Sequence, residues 1–370
     1  MRARVLIYGC RVLVVVASYV AAFLLIPPYA NVVPLLVGLA ASVVLLRLSG
    51  LPLRRRVTVS VVRECLVAAA PQRAWELLSS AEAWSLRPGF HAFDVPPPEG
   101  MPPLRATIQV ASRGAICGAQ ELIELPPTAG QPGRTLLMRY VTRPGSPASL
   151  TIRVVPEGSG TRVIVTAQQT ARLASALDVK AAARKALAAW LGECAAVLAG
   201  DRGWPGQEMS PDVLAALAAP LAAKDVTEAS ASVLIAADPA RVWEAAWDPA
   251  TRLPDSGTVA AGFVPGRPVG RPGEIQYEIN RSSQLDGALL LYVIYVCDIE
   301  PGRMALTRAS GHIAGEMLYR IEPGSGGTRL SLTSRFTDPR LLGKTEQIQA
   351  NFEKFAARYK VLLEGMNPPD

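Results

Sequence analysis

The sequence predicts an α+β chain: two copies of one domain, each a curved antiparallel sheet wrapped around a long C-terminal helix, behind an N-terminal two-helix transmembrane hairpin. Three observations carry this. The string LVAAAPQRAWE starts at Leu66, and nearly the same letters, LIAADPARVWE, return at Leu234. PEGSGTR from Pro156 and PGSGGTR from Pro323 repeat at almost the same interval, as do Gly133-Arg134 and Gly302-Arg303. Two long uncharged apolar runs precede both copies. The interval far exceeds the roughly 20–50 residues of a solenoid repeat, so the duplicated unit is a whole domain. The chain of 370 residues divides into a hairpin (1–56), a first domain (57–200), a linker (201–224) and a second domain (225–366).

The hairpin comes first. Val12–Ile26 and Val32–Leu46 are each free of charge, with the turn-forming PPYANVVP between them. Each run falls short of the roughly 20 residues that span a bilayer, and flanking arginines that reach back to the interface extend both. Arg2, Arg4, Arg11, Arg47, Arg54, Arg55 and Arg56 lie toward the outer ends, with no acid, lysine or histidine in residues 1–56. The positive-inside rule then places both ends in the cytoplasm, a two-pass protein of the cell membrane with cytoplasmic domains. A cleaved signal peptide ending near Val20–Ala22 is the alternative for the first run; it leaves Val32–Leu46 and its basic flank as a stop-transfer anchor.

These seven arginines account for the whole formal charge of +7. The rest of the chain is neutral, which argues against a nucleic-acid partner. Cys10, Cys65, Cys117, Cys194 and Cys297 are scattered and odd in number, and read as reduced thiols.

Each domain opens with a strand and a strand-to-helix corner. In the second copy Ala229–Ala237 is the strand, Asp238 the helix N-cap and Pro239 the first helical residue. After a Pro/Gly-rich stretch come strand-like runs at Glu274–Asn280, Ala288–Ile299, Met304–Arg308, Ile313–Ile321 and Thr328–Phe336, separated by turn signals. Ile348, Phe352, Phe355, Tyr359 and Leu362 then fall on one helical face. The first copy closes likewise on Leu187, Trp190, Leu191, Cys194, Val197 and Leu198. The linker starts Gly/Pro-rich and continues as a short Ala/Leu helix capped at Ser210. It is either packed between the domains or a spacer.

The unit resembles the START/Bet v 1-like (SRPBCC) superfamily, whose bacterial members include polyketide cyclase/dehydrase-like lipid-transport families. The resemblance rests on the pattern I-x-A-x-P-x-x-V-W-E at Ile235–Glu244, on its counterpart at Val67–Glu76 with Ala74 for Val, on Gly326–Arg329, and on the terminal helix. It covers both domains. It implies the helix-grip fold and a cavity between sheet and helix for an apolar or amphipathic ligand. It names neither the ligand nor a reaction.

No sequence motif supplies catalytic or metal-binding chemistry. Leu341–Thr345 resembles a phosphate loop, but Asp338 stands where that loop needs glycine. With only His91 and His312 present, a histidine-rich metal site is excluded, and no cofactor is expected. Candidates for ligand contact are Trp243, Tyr277, Tyr295, Tyr319, Phe352, Phe355 and Tyr359 in the second copy, with Trp75 and Trp190 in the first. For the tryptophans and tyrosines, plain core packing is the competing account. Tyr292 and Tyr295 alternate to opposite faces, and the parity of Leu291 and Val293 favours Tyr295. His312, Glu316 and Arg320 are expected on a solvated face. The Ala-rich final helix of the first copy allows either a roomier cavity or a collapsed scaffold, and the second copy is the expected binder. Three functions remain open: binding of a lipid-like or other hydrophobic small molecule, a polyketide cyclase/aromatase-like enzyme, and a scaffold for a protein partner.

Overall fold

The computed structural model describes residues 56–96, 100–111, 114–127, 132–141, 148–221, 226–252, 257–281, 288–311, 314–337 and 345–365. Residues 1–55 of the expected membrane hairpin lie outside these residues, as do His312 and Cys10, while Arg56 opens the first strand. No described helix is long and apolar enough to cross a membrane.

The first domain runs β1 (Arg56–Val67), α1 (Pro71–Ser79), α2 (Glu82–Ser85), β2 (Phe90–Val95), β3 (Leu104–Ala111), β4 (Gly114–Leu125), β5 (Arg134–Tyr140), β6 (Ala148–Glu157), β7 (Gly160–Arg172) and α3 (Ala176–Ala199). The linker holds α4 (Pro211–Ala218). The second domain repeats the order with β8 (Thr227–Ile235), α5 (Pro239–Trp247), β9 (Thr258–Phe263), β10 (Ile275–Arg281), β11 (Leu289–Glu300), β12 (Met304–Gly311), β13 (Gly315–Gly324), β14 (Gly327–Phe336) and α6 (Thr345–Glu364). Each sheet is a seven-stranded antiparallel meander closed by its first strand pairing with its last: β1-β7-β6-β5-β4-β3-β2 and β8-β14-β13-β12-β11-β10-β9. With its long helix laid across the sheet, each domain has the helix-grip arrangement. β9 was not legible in the Pro/Gly-rich stretch. Its six residues are half-buried without alternation, so no period of two marks it.

The two repeated strings meet in space. Thr161 and Thr328 are fully buried, and their hydroxyls donate to the carbonyls of Ala69 (2.6 Å) and Ala237 (2.7 Å). These carbonyls belong to the corner between first strand and first helix. Beside them, a Cβ on Gly160 would stand 2.6 Å from the Val67 oxygen, and one on Gly327 2.1 Å from the Ile235 oxygen. The G-T-R motif is therefore the clasp of the strand-to-helix corner. Both long helices stop on left-handed glycines, Gly200 (φ 87°) and Gly365 (φ 69°).

The first domain's core is filled. Trp190 of α3 stacks on Trp84 at 4.8 Å and donates from Nε1 to the Ala83 carbonyl at 2.7 Å. Leu187, Leu191, Cys194, Val197 and Leu198 are buried on the same helical face, as the periodicity predicts. On α6, Phe352 and Tyr359 are buried, whereas Leu362 is 48% exposed.

A third apolar cluster joins the domains. It gathers Phe93 and Val95 of β2, Leu104, Ala106 and Ile108 of β3, Ile275, Tyr277 and Ile279 of β10, and Leu289, Leu291 and Val293 of β11. Val213 and Leu217 of α4 are buried within it. The linker helix is thus packed between the sheets rather than spacing them. Pro211 starts it, but Ser210 forms no side-chain cap, and its hydroxyl is buried without a partner among the described residues. Arg308 donates to the Ala218 carbonyl at the helix's C-terminal end, where a cation complements the dipole.

Candidate functional site

The second domain encloses a cavity of about 330 Å³ between its sheet and α6, within the range of small-molecule sites. Small residues create it. Across the sheet, Gln276 faces Ile294, Ile294 faces Ala309, Ala309 faces Gly315, and Gly315 faces Phe336. Ala309 and Gly315 at the middle of this row leave the space that larger side chains would occupy. Ile294, Met317, Phe336, Phe355 and Leu362 supply apolar wall.

The polar lining is confined to a few groups. Glu278 and Tyr292 are directly opposed on β10 and β11 and both line the cavity. Glu278 Oε1 accepts from Thr258 Oγ1 at 3.2 Å and from Asn280 Nδ2 at 2.7 Å. Asn280 Oδ1 is buried with no hydrogen-bond partner among the described residues, an acceptor left for something else. Thr251 and Ser334 are satisfied internally, by the Ala245 and Glu316 carbonyls respectively. Arg358 of α6 lines the cavity from an exposed position and has no ion-pair partner among the described residues. The cavity thus offers an apolar body, a carboxylate–amide–phenol group on the sheet and a cation on the helix.

Of the residues singled out in the sequence, Tyr319, Phe355 and Tyr359 line this cavity. Phe352 packs behind it, 6.1 Å from Phe355. Trp243 stacks on Trp247 at 5.3 Å, and Trp247 meets Tyr319 edge-on at 6.0 Å; the tryptophan buttresses the wall without forming it. Trp75 is buried in the first core with Arg134 over its ring at 4.0 Å, and Trp190 is held by Trp84.

Tyr277 and Tyr295 are the correction. Tyr277 lies in the interdomain cluster, 5.3 Å from Phe93, and Tyr295 packs against the same cluster. The cavity face carries their alternates, Glu278, Asn280, Tyr292 and Ile294. Apolar parity misleads here because the outer sheet face is covered by another domain and is the more apolar of the two. The run Leu289–Val296, apolar on both faces, was the available signal that both sides are buried. Glu316 also departs from a solvated face: it pairs with Arg308 at 2.9 Å and Arg335 at 3.5 Å, the Arg308 that holds α4. Arg320 is exposed as expected.

The described cysteines are free thiols. Burial pushes the Cys117 and Cys194 thiols up to about 12, which keeps them protonated and unreactive at neutral pH.

Residues 56–199 match the family model described as polyketide cyclase / dehydrase and lipid transport. The first domain is similar to that family. The second domain repeats the same strand order and closing helix, so the chain is a tandem of this build. No curated protein matches the chain. Among solved structures, the di-domain ARO/CYC StfQ from the steffimycin biosynthetic pathway is similar at 12% identity and TM-score 0.30, over 82% of this chain and 96% of that one. The di-domain ARO/CYC BexL from the BE-7585A pathway is similar at 14% identity and TM-score 0.29, over 83% and 94%. An uncharacterized protein from Rhizobium leguminosarum matches at 17% identity and TM-score 0.32, over 38% of this chain and 97% of its own.

Proposed function

We propose that the second domain binds an apolar or amphipathic small molecule in the cavity between its sheet and α6. The observation that carries this is a cavity with an apolar wall into which Glu278, Asn280, Tyr292 and Arg358 bring polar groups, the remaining polar lining being engaged elsewhere, Thr251 and Ser334 with backbone carbonyls and Glu316 with Arg308. Such a site accommodates a hydrophobic body bearing oxygen functions. A hydroxyl or phenol can donate to Asn280 Oδ1 and Glu278, while an acidic group can face Arg358. The same proposal holds the body at the inner face of the cell membrane through residues 1–56. Its support is the pair of uncharged runs with arginines at their outer ends.

Native mass spectrometry of the detergent-solubilised full chain, followed by organic extraction, tests the binding. A stoichiometric apolar ligand is expected, and Ala309→Phe, which fills the middle of the cavity, should lose it. An apo chain that takes up no added lipid or aromatic polyketide overturns the reading, as does full retention by Ala309→Phe.

A second reading is a cyclase-like enzyme, and the opposed Glu278–Tyr292 pair favours it: a carboxylate and a phenol facing one cavity can serve as base and acid. The family description names both chemistry and transport. Glu278→Gln then separates the two. An enzyme loses turnover while keeping its ligand; a carrier keeps or only weakens its ligand and has no turnover to lose.

A further inference from the structure

Strand register fixes where the N-terminal chain arrives at the first domain. Arg56 opens β1 opposite Arg172, the last residue of β7. The same end of the sheet carries Ala148 of β6, opposite Gln169, and Arg139 of β5, opposite Ser149. On β4 it lies beyond Gln120, which pairs with Tyr140, toward Gly114.

Apolar side chains gather at this end without cover among the described residues. Leu173, just after β7, is 44% exposed, and Leu177, in the first turn of α3, is 51% exposed. Ile116 is 60% exposed and alternates with Gln120 onto the sheet face that meets α3. Single exposed apolar residues are ordinary on a protein surface; these share the end that receives the N-terminal chain. The outward side of α3 continues the surface with positive charge. Arg172, Arg184 and Lys185 are exposed, as are Ala181 and Ala188 around them. The first half of the helix holds one acid, Asp178, half-buried in the first turn, where a carboxylate complements the helix dipole.

Residues 1–55 indicate what covers this surface. Val32–Leu46 is uncharged, and residues 47–55 join it to Arg56, a connection that reaches at most about 35 Å when fully extended. A bilayer holding that run therefore lies within reach of this end of the domain. Apolar side chains flanked by cations suit the boundary of an anionic bilayer, and a short tether makes even a weak contact effective.

We propose that Leu173, Leu177 and Ile116, with Arg172, Arg184 and Lys185 beside them, form a docking surface for an anionic lipid bilayer. The proposal rests on the anchor reading of residues 1–56 given above and adds to it an orientation: the first domain lies against the membrane by this end. The apolar side chains enter the headgroup boundary, and the cations meet lipid phosphates.

The test uses the full chain with a specific protease site inserted between Leu53 and Arg54, reconstituted in phosphatidylcholine vesicles with or without phosphatidylglycerol. Alkaline extraction of the uncut chain reads the anchor alone; release there overturns the anchor reading and the tether built on it. Release only after cutting overturns the docking surface alone. The cut body should instead stay on the phosphatidylglycerol vesicles about tenfold or more over the neutral ones, and high salt should release it. Arg184→Gln with Lys185→Gln should lower that partition about tenfold, and Leu173→Ser with Leu177→Ser severalfold. All four side chains are exposed, so the melting temperature should not move. The arginines at 54–56 remain on every cut body, so the difference between variants reads the docking surface itself. The proposal is overturned if the cut body leaves both kinds of vesicle, stays equally on both, or if either double variant keeps the full partition.

Discussion

At the scale of single residues, the duplicated strings record a few obligatory contacts. Thr161 and Thr328 each satisfy a buried carbonyl at the strand-to-helix corner. Thr161→Val or Thr328→Val keeps the shape and orphans that carbonyl, so each should cost about 1–3 kcal/mol in chemical denaturation. The copies differ one residue before the proline. Asp238 Oδ1 accepts from the backbone of Ala240 and Arg241 at 3.1 Å, whereas Ala70, in the same extended conformation, provides no side-chain cap. Ala70→Asp should therefore stabilise the first domain by about 0.5–2 kcal/mol, and Asp238→Ala should destabilise the second by a similar amount. A rise in the first domain's denaturation midpoint checks the former. No change there would mean that the corner geometry, rather than capping, sets helix entry.

At the scale of elements, α4 decides how the two sheets meet. Its Val213 and Leu217 are buried among β3, β4, β11 and β12, and Arg308 clasps its last carbonyl while pairing with Glu316. Leu217→Ala opens a cavity in this seam and should cost about 2–5 kcal/mol. The loss falls on docking rather than on either core, so calorimetry should show one transition splitting into two. A uniform loss within a single transition would place Leu217 in a domain core instead. The same scale explains the misassigned tyrosines. Whether β10 offers Tyr277 or Glu278 to the cavity depends on what covers each face, and α4 with β2 and β3 covers the apolar one.

At the scale of the whole molecule, the seam carries a pH dependence. His91, 2% exposed, lies with its Nδ1 3.3 Å from the Ser85 hydroxyl and its ring against Phe93. Burial, aided by the charge of Arg267 in the second domain, lowers its pKa from 6.5 to about 4. The folded chain thus holds it neutral while the unfolded chain takes up a proton. Its contribution is fully present above pH 6.5 and is lost as pH falls toward 4, amounting to about 3 kcal/mol. Denaturation midpoints between pH 7 and 4.5 should fall, and His91→Phe should flatten that part of the profile. An unchanged slope in the variant would assign the pH dependence to other groups.

The duplication, the closing helices and the corner motif can be read directly from the residues, because these depend on contacts that are local or repeated. Trp190 on its helical face, the G-T-R clasp and the Asp238–Pro239 helix start are legible for that reason. Tyr319, Phe355 and Tyr359 were legible as cavity residues because α6 and β13 have one covered face whose period marks it. That α4 is sandwiched between the sheets, that β9 is a strand, and that Glu278, Asn280 and Tyr292 face the cavity follows from how the elements pack. On β10 and β11 both faces are buried, one by a helix and one by another domain. Alternation separates buried from exposed; it does not say which of two buried faces encloses empty space.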